Sequence, residues 1–271
     1  MRALLGWFEG WRGLARFWAA VAVVLIGVGA ALQLLGPPPR PAPVVQPGHV
    51  APPIIAAAAP EAGAGRATQG PIAEPDPALL ESWRDGASLP RIAADGRAPM
   101  RVYAAGFDPR DRRPRAAVLM GGIGMHAADT EHAARTLPAA VSFAIPPYLG
   151  APDRILPPIR RAGHEILAAL PMEPVGFPLN DPGPRALTTE QAPERNRENL
   201  LWSLSRIQGF VGATNAFGPM RGERFAELAD QMAAAMAELA SRGLLFVDAR
   251  GGAVGGAWGR GVDVVLDDNE D

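Results

Sequence analysis

A chain of 271 residues carrying 26 basic and 28 acidic residues, with a formal net charge of −2, is not an electrostatic nucleic-acid binder. At 48% hydrophobic it is not a disordered segment either. It contains no cysteine, which excludes disulfides and thiolate metal sites, and its strong bases are all arginine, a compositional bias rather than a functional signal.

Residues 1–16 carry Arg2, Arg12 and Arg16 against a single Glu9. Phe17–Leu35 then runs without a charge, with Gln33 its only strongly polar residue. An apolar run of about 20 residues spans a hydrocarbon core of about 30 Å. Arginines ahead of it favour a cytoplasmic N-terminus. The expectation is a single-pass inner-membrane anchor over 17–35, with all that follows in the periplasm. A cleaved signal peptide is the rival reading. Gly29-Ala30-Ala31 offers a cleavage site, but Gln33-Leu34-Leu35 carries the run past it. A buried core helix fits less well, because the run is apolar on every face.

Residues 36–75 are rich in Pro, Ala and Gly, with Pro37-Pro38-Pro39 and Pro52-Pro53, and read as an extended, semi-rigid linker. Folded sequence is expected over 76–271. Asp76-Pro77 supplies an N-cap and a first helical residue, predicting a helix over Ala78–Trp83. Met100–Tyr103 reads as an extended piece.

From there the pattern alternates. Strands are expected at Ala116–Met120, Ala140–Ile145, Glu165–Leu170, Phe210–Ala213, Leu244–Val247 and Val262–Leu266. Helices are expected at His126–Leu137, Pro152–Ala162, Glu190–Ile207 and Gly222–Arg242. In the last, Phe225, Leu228, Met232, Met236 and Leu239 share one face and Gly243 follows as the cap. Such alternation predicts an α/β domain with a mostly parallel sheet or barrel. Acidic residues close the chain directly after the last expected strand, with no helix to cover it, so the domain is expected to lack its C-terminal part or to be covered by another chain.

Gly122-Ile123-Gly124-Met125-His126-Ala127 fits a dinucleotide-binding turn between strand and helix. A ribose-binding acid should then end the next strand. That strand ends in Pro146-Pro147-Tyr148 instead. His126, Asp129 and His132 share a helix, but the outer pair lies about 240° apart around it and cannot face one ion. Ser142, Ser203 and Ser205 lack the glycine-flanked, strained setting of a nucleophile. Three strand ends remain: Leu170-Pro171-Met172-Glu173-Pro174, Thr214-Asn215-Ala216-Phe217-Gly218 and Val247-Asp248-Ala249-Arg250. Polar residues at successive carboxyl ends converge on one mouth in α/β barrels.

These segments, with Gly163-His164-Glu165, Asn180-Asp181-Pro182-Gly183-Pro184 and the pieces around them, together resemble the divergent polysaccharide deacetylase family over nearly all of 76–271. The resemblance implies a distorted (β/α) barrel, related to carbohydrate esterases, in a membrane-anchored protein of a Gram-negative envelope. It also implies an Asp-Asp pair after the first strand and two histidines that hold a metal. Here the acid pair falls on Gly121-Gly122, and the histidine positions fall on Ala169 and Ala216, while Glu173 and Asp248 are kept.

Two classes of function follow. One is a module that binds a cell-envelope glycan or an envelope protein without metal-dependent catalysis and without a cofactor. In it Glu173, Asn215 and Asp248 would act as hydrogen-bond partners and Tyr148 and Phe217 as stacking surfaces. The other is an active deacylase of envelope polysaccharide.

Overall fold

A computed structural model of the chain describes residues 10–35, 70–106, 116–250 and 258–266. The chain divides into two compact units, Met1–Ala59 and Pro60–Asp271. In the first, helix α1 runs over Gly10–Leu35. Its side chains are described at Leu14, Ala15 and over residues 17–27, where Val23, Val24, Leu25 and Ile26 are exposed. Among the described residues no helix is long and apolar enough to cross a membrane. Most of the proline-rich stretch lies outside the described residues.

The second unit opens as the Asp-Pro signal predicts, and then departs from it. The Asp76 carboxylate accepts the Ala78 N–H at 2.8 Å, but the helix it caps is a single tight turn, Pro77–Leu79. Leu80–Ser82 follows as a strand (β1) rather than as more helix, because it pairs antiparallel with Ser88–Pro90 (β2). Pro99 likewise starts a short helix (α2, Pro99–Val102) where an extended piece was expected. Proline suits a first helical turn, where its missing N–H costs nothing.

Six parallel strands form the main sheet: β3 (Val118–Met120), β4 (Val141–Ile145), β5 (Ile166–Ala169), β6 (Gly212–Thr214), β7 (Leu245–Asp248) and β8 (Trp258–Gly261). Their order in space is their order in sequence. Helices α3 (Ala127–Thr136), α4 (Pro152–Ala162), α5 (Pro193–Ser205) and α6 (Ala229–Ser241) connect the first five strands. The sheet curls into a half-barrel. Strand order never reverses, so there is no topological switch point for a dinucleotide at the Gly122–Ala127 turn. The last strand sits at Trp258–Gly261, in register with Leu245–Asp248, and not at the expected Val262–Leu266. Val264, Val265 and Leu266 instead lie outside the sheet and are exposed.

Side chains alternate across the sheet as the two-residue period requires. On the helix side, Phe143, Ile145, Ile166 and Phe246 pack against Ile159, Leu204, Met236 and Leu239. Fully burying each such side chain contributes about 1.5–3 kcal/mol. On the other side, Leu167 and Val211 meet Ile72, Leu79 and Tyr103 from the N-terminal segment, with Leu119, Leu245 and Val247 packed alongside. The Gly163-His164-Glu165 segment joins these layers. His164 is fully buried, stacked on Phe143 at 4.4 Å, with its ring nitrogens 2.8 Å from the Val141 carbonyl and 3.1 Å from that of Ala134. Glu165 accepts the Ala105 N–H at 2.6 Å and the Ser142 hydroxyl at 3.1 Å.

The expected single helix over Gly222–Arg242 is broken. Phe225–Glu227 forms one tight turn, and α6 restarts after Leu228, which has φ −80° and ψ 81°. The cause is a tether: the backbone N–H groups of Arg224 and Phe225 both donate to the Glu173 carbonyl at 3.2 Å. Beyond it Met232, Met236 and Leu239 are buried on one face, and Gly243, at φ +68°, ends the helix as expected.

Candidate functional site

The curl brings strand ends together that a flat sheet would separate. β3 and β6 are three strands apart, about 14 Å at the usual spacing of neighbours. Yet a Cβ placed on Gly121, just after β3, would lie 3.6 Å from the Ala216 carbonyl oxygen and 3.9 Å from the Ala216 Cβ, just after β6. Ala169 ends β5 and pairs with Thr214, two residues before Ala216. The positions at which the resemblance implies metal ligands therefore cluster, but they carry only hydrogens and methyl groups. Among the described residues, no group of three or more His, Asp or Glu side chains could hold a metal ion. His126, Asp129 and His132 are all exposed at or near the start of α3. The described side chains here do not fit a metal centre.

Beside this hollow lies a buried polar knot. Asn215 is fully buried; its amide nitrogen donates to the Arg221 carbonyl and to Asp248 Oδ1, each at 2.9 Å, and its oxygen accepts the Ala249 N–H at 2.7 Å. Asp248, 1% exposed, also receives the Arg250 guanidinium in a fork, at 3.1 Å on Oδ1 and 2.7 Å on Oδ2. Asp248 thus cross-links the ends of β6 and β7 and aims Arg250, whose side chain keeps 29% of its surface exposed. Two-point pairing of this kind fixes direction as well as contributing energy.

Glu173 has the corresponding role after β5. It is 1% exposed, and its Oε2 accepts the Thr189 backbone N–H at 2.6 Å and the Thr189 hydroxyl at 2.9 Å. Its Oε1 faces Arg224 Nε at 3.3 Å. Glu173 therefore holds the loop after β5 against both the Thr189 segment and the turn before α6.

Tyr148 and Phe217 are half-buried and touch edge to face, their centroids 6.1 Å apart. Tyr148 also meets Trp202 of α5 at 5.5 Å. Burial pushes the Tyr148 phenol up from its ordinary value, and the Arg185 N–H that its oxygen accepts at 3.1 Å pulls the other way. The Asn-Asp-Pro-Gly-Pro segment explains itself here. It passes so close over the ring that a Cβ on Gly183 (φ +107°) would sit 2.7 Å from the Tyr148 oxygen.

Of the five residues singled out in the sequence, three are internal and satisfied by protein partners, and two form an aromatic surface open to solvent. Sequence reading did not single out Trp202, Arg185, Arg224, Thr189 or Arg250. Arg250 was recoverable, two residues from Asp248 on the strand end. The others depend on how α5 and the long loop before it fold back.

A family model of divergent polysaccharide deacetylases matches residues 118–258, just over half of the chain. The chain belongs to the divergent polysaccharide deacetylase family. Among solved structures it is similar to that of an uncharacterized protein from Agrobacterium tumefaciens C58, at 30% identity and a TM-score of 0.61. That likeness covers 68% of this chain and 76% of the other. No curated protein matches it. In this divergent polysaccharide deacetylase, Glu173, Asn215 and Asp248 brace the strand ends beside the hollow at Gly121 and Ala216.

Proposed function

We propose that this protein is a membrane-anchored component of a Gram-negative envelope whose deacetylase-like domain binds glycan at the strand-end mouth without metal-dependent hydrolysis. One observation carries the reading. Gly121 and Ala216 stand side by side with no donor atom, in a mouth whose supports, Glu173, Asn215 and Asp248, are intact. A hydrolytic metal needs about three protein ligands and an activated water. A binding cleft needs only a stacking surface and a few fixed polar groups. Tyr148 and Phe217 supply the first. Arg250, aimed by Asp248, supplies one of the second. The anchor reading draws on the charge-free Phe17–Leu35 run and the arginines before it.

Binding is tested by titrating the detergent-solubilised full chain with envelope polysaccharide fragments and following tryptophan fluorescence. Saturable binding that falls about tenfold in Tyr148→Ala or Phe217→Ala supports the reading, since a lost aromatic contact in a binding cleft is worth roughly that much. Zinc-dependent release of acetate from the same fragments would contradict it and favour an active deacylase.

A further inference from the structure

The aromatic surface does not stop at the mouth. Phe217, Tyr148 and Trp202 form a continuous row, and the far end of that row is cationic. The guanidinium of Arg185 lies 5.6 Å from the Trp202 ring centroid, and that of Arg206 lies 5.5 Å from it. Each distance is within the range of a cation–π contact. Elsewhere on the domain, several arginines are matched by acids, as Arg97 is by Asp76 and Asp95 and Arg242 by Glu81 and Glu238, while Arg91 and Arg160 donate to backbone carbonyls. Arg185 and Arg206 have no carboxylate within salt-bridge distance among the described residues. The acid that Tyr148 feels, Asp181, is exposed and turned to the Gly183 N–H at 2.8 Å.

Two like charges held against one indole repel each other, and the ring offsets that only in part. An anion lying across the row would relieve the repulsion and gain planar, two-point hydrogen bonding from a guanidinium. The remaining length of the row offers the faces and edges on which sugar rings stack. We infer that the glycan bound here is acidic, bearing carboxylate or phosphate groups, and that Arg185 and Arg206 read its charge while Trp202, Tyr148 and Phe217 carry its rings. This rests on the glycan-binding reading above and extends it to a substrate class. Trp202 and Arg206 lie one helical turn apart at the end of α5, so the helix presents both to the same side.

The test uses the detergent-solubilised full chain and three probes: hexagalacturonate, 6-phosphorylated mannopentaose and neutral mannopentaose. At low salt, at least one acidic probe should bind about tenfold more tightly than the neutral one, and added salt should erode that preference. The better acidic probe tells carboxylate from phosphate recognition. In the double variant Arg185→Met, Arg206→Met the acidic-to-neutral ratio should fall close to one, and Arg206→Lys should retain part of it. Arg101→Gln, exposed at the opposite end of the strands beside Gly243, should leave the ratio as it is. Equal binding of neutral and acidic probes would overturn the inference and leave the glycan reading standing. So would an acidic preference that survives the double variant. Binding of none of the three would overturn both.

Discussion

A Cβ on Gly121 would lie 3.9 Å from the Cβ of Ala216, although the two residues follow strands three positions apart in the sheet. Side chains of ligand length at these two places could meet at one ion. Gly122, next in the chain, has room for a side chain, since a Cβ there would meet nothing within 4 Å. Its φ of +74° is one that aspartate tolerates better than most residues. The triple variant Gly121→Asp, Gly122→Asp, Ala216→His should therefore take up zinc, and the parent chain should not. Isothermal titration with zinc checks this. A triple variant as indifferent to zinc as the parent would mean that these positions do not converge on one point.

The two tyrosines of the chain make an unusually clean pH probe. Burial pushes both phenols above their ordinary value of 10.0, Tyr103 beneath the N-terminal segment and Tyr148 beneath the Gly183 turn. A raised phenol favours the neutral form in the folded state. The stability it contributes is therefore present below about pH 10 and lost as pH rises through the raised folded values. Absorbance at 295 nm should show no phenolate step at or below pH 10, followed by titration that coincides with loss of structure. A full-amplitude step near pH 10 in the folded protein would contradict the buried placement.

Asp248 and Asn215 are predicted to act first on stability. Asp248→Asn gives up a charge-assisted fork to Arg250, and Asn215→Ala leaves the buried Ala249 N–H without its acceptor. Each should cost about 1–3 kcal/mol. For a domain of this size that is roughly 2–10 °C in Tm. Thermal unfolding of the two variants measures it. Glycan retention should weaken in the same variants, because Arg250 is no longer aimed. Unchanged melting in both would show that the polar knot is not a support.

The fold was largely legible from the sequence, and the places where it was not share a cause. Strand-and-helix alternation, the Pro152–Ala162 helix and the convergence of strand ends all follow from local pattern. The helix expected over Ala78–Trp83 lost to a strand pairing with Ser88–Pro90, which no local window contains. The break at Leu228 comes from the Glu173 carbonyl, about fifty residues away in the chain. In the site, residue types singled out Glu173, Asn215 and Asp248. Only the packing shows that they face inward, with Thr189, Arg224 and Arg250 as partners. Trp202 sits on a helix whose polar and apolar residues are poorly segregated, so its membership in the aromatic row had no periodic signal.

The anchor makes its own prediction. Under the proposed reading, a charge-free run preceded by Arg2, Arg12 and Arg16 would direct residues after it across the membrane. An alkaline phosphatase fusion after Asp271 should be active, and a fluorescent reporter that folds only in the cytoplasm should be dark at the same place. The reverse pattern would assign the domain to the cytoplasm and remove an envelope glycan as its ligand.

The most direct test of the central claim is the metal content and hydrolytic competence of the full chain together. After saturation with zinc and removal of the excess, plasma emission should find far less than stoichiometric zinc, and acetylated glycan fragments should release no acetate above the protein-free rate. That outcome is required if Gly121, Gly122, Ala169 and Ala216 leave no donor set to bind a divalent ion or activate water. Stoichiometric zinc with zinc-dependent acetate release would contradict the account and make this chain a working deacetylase.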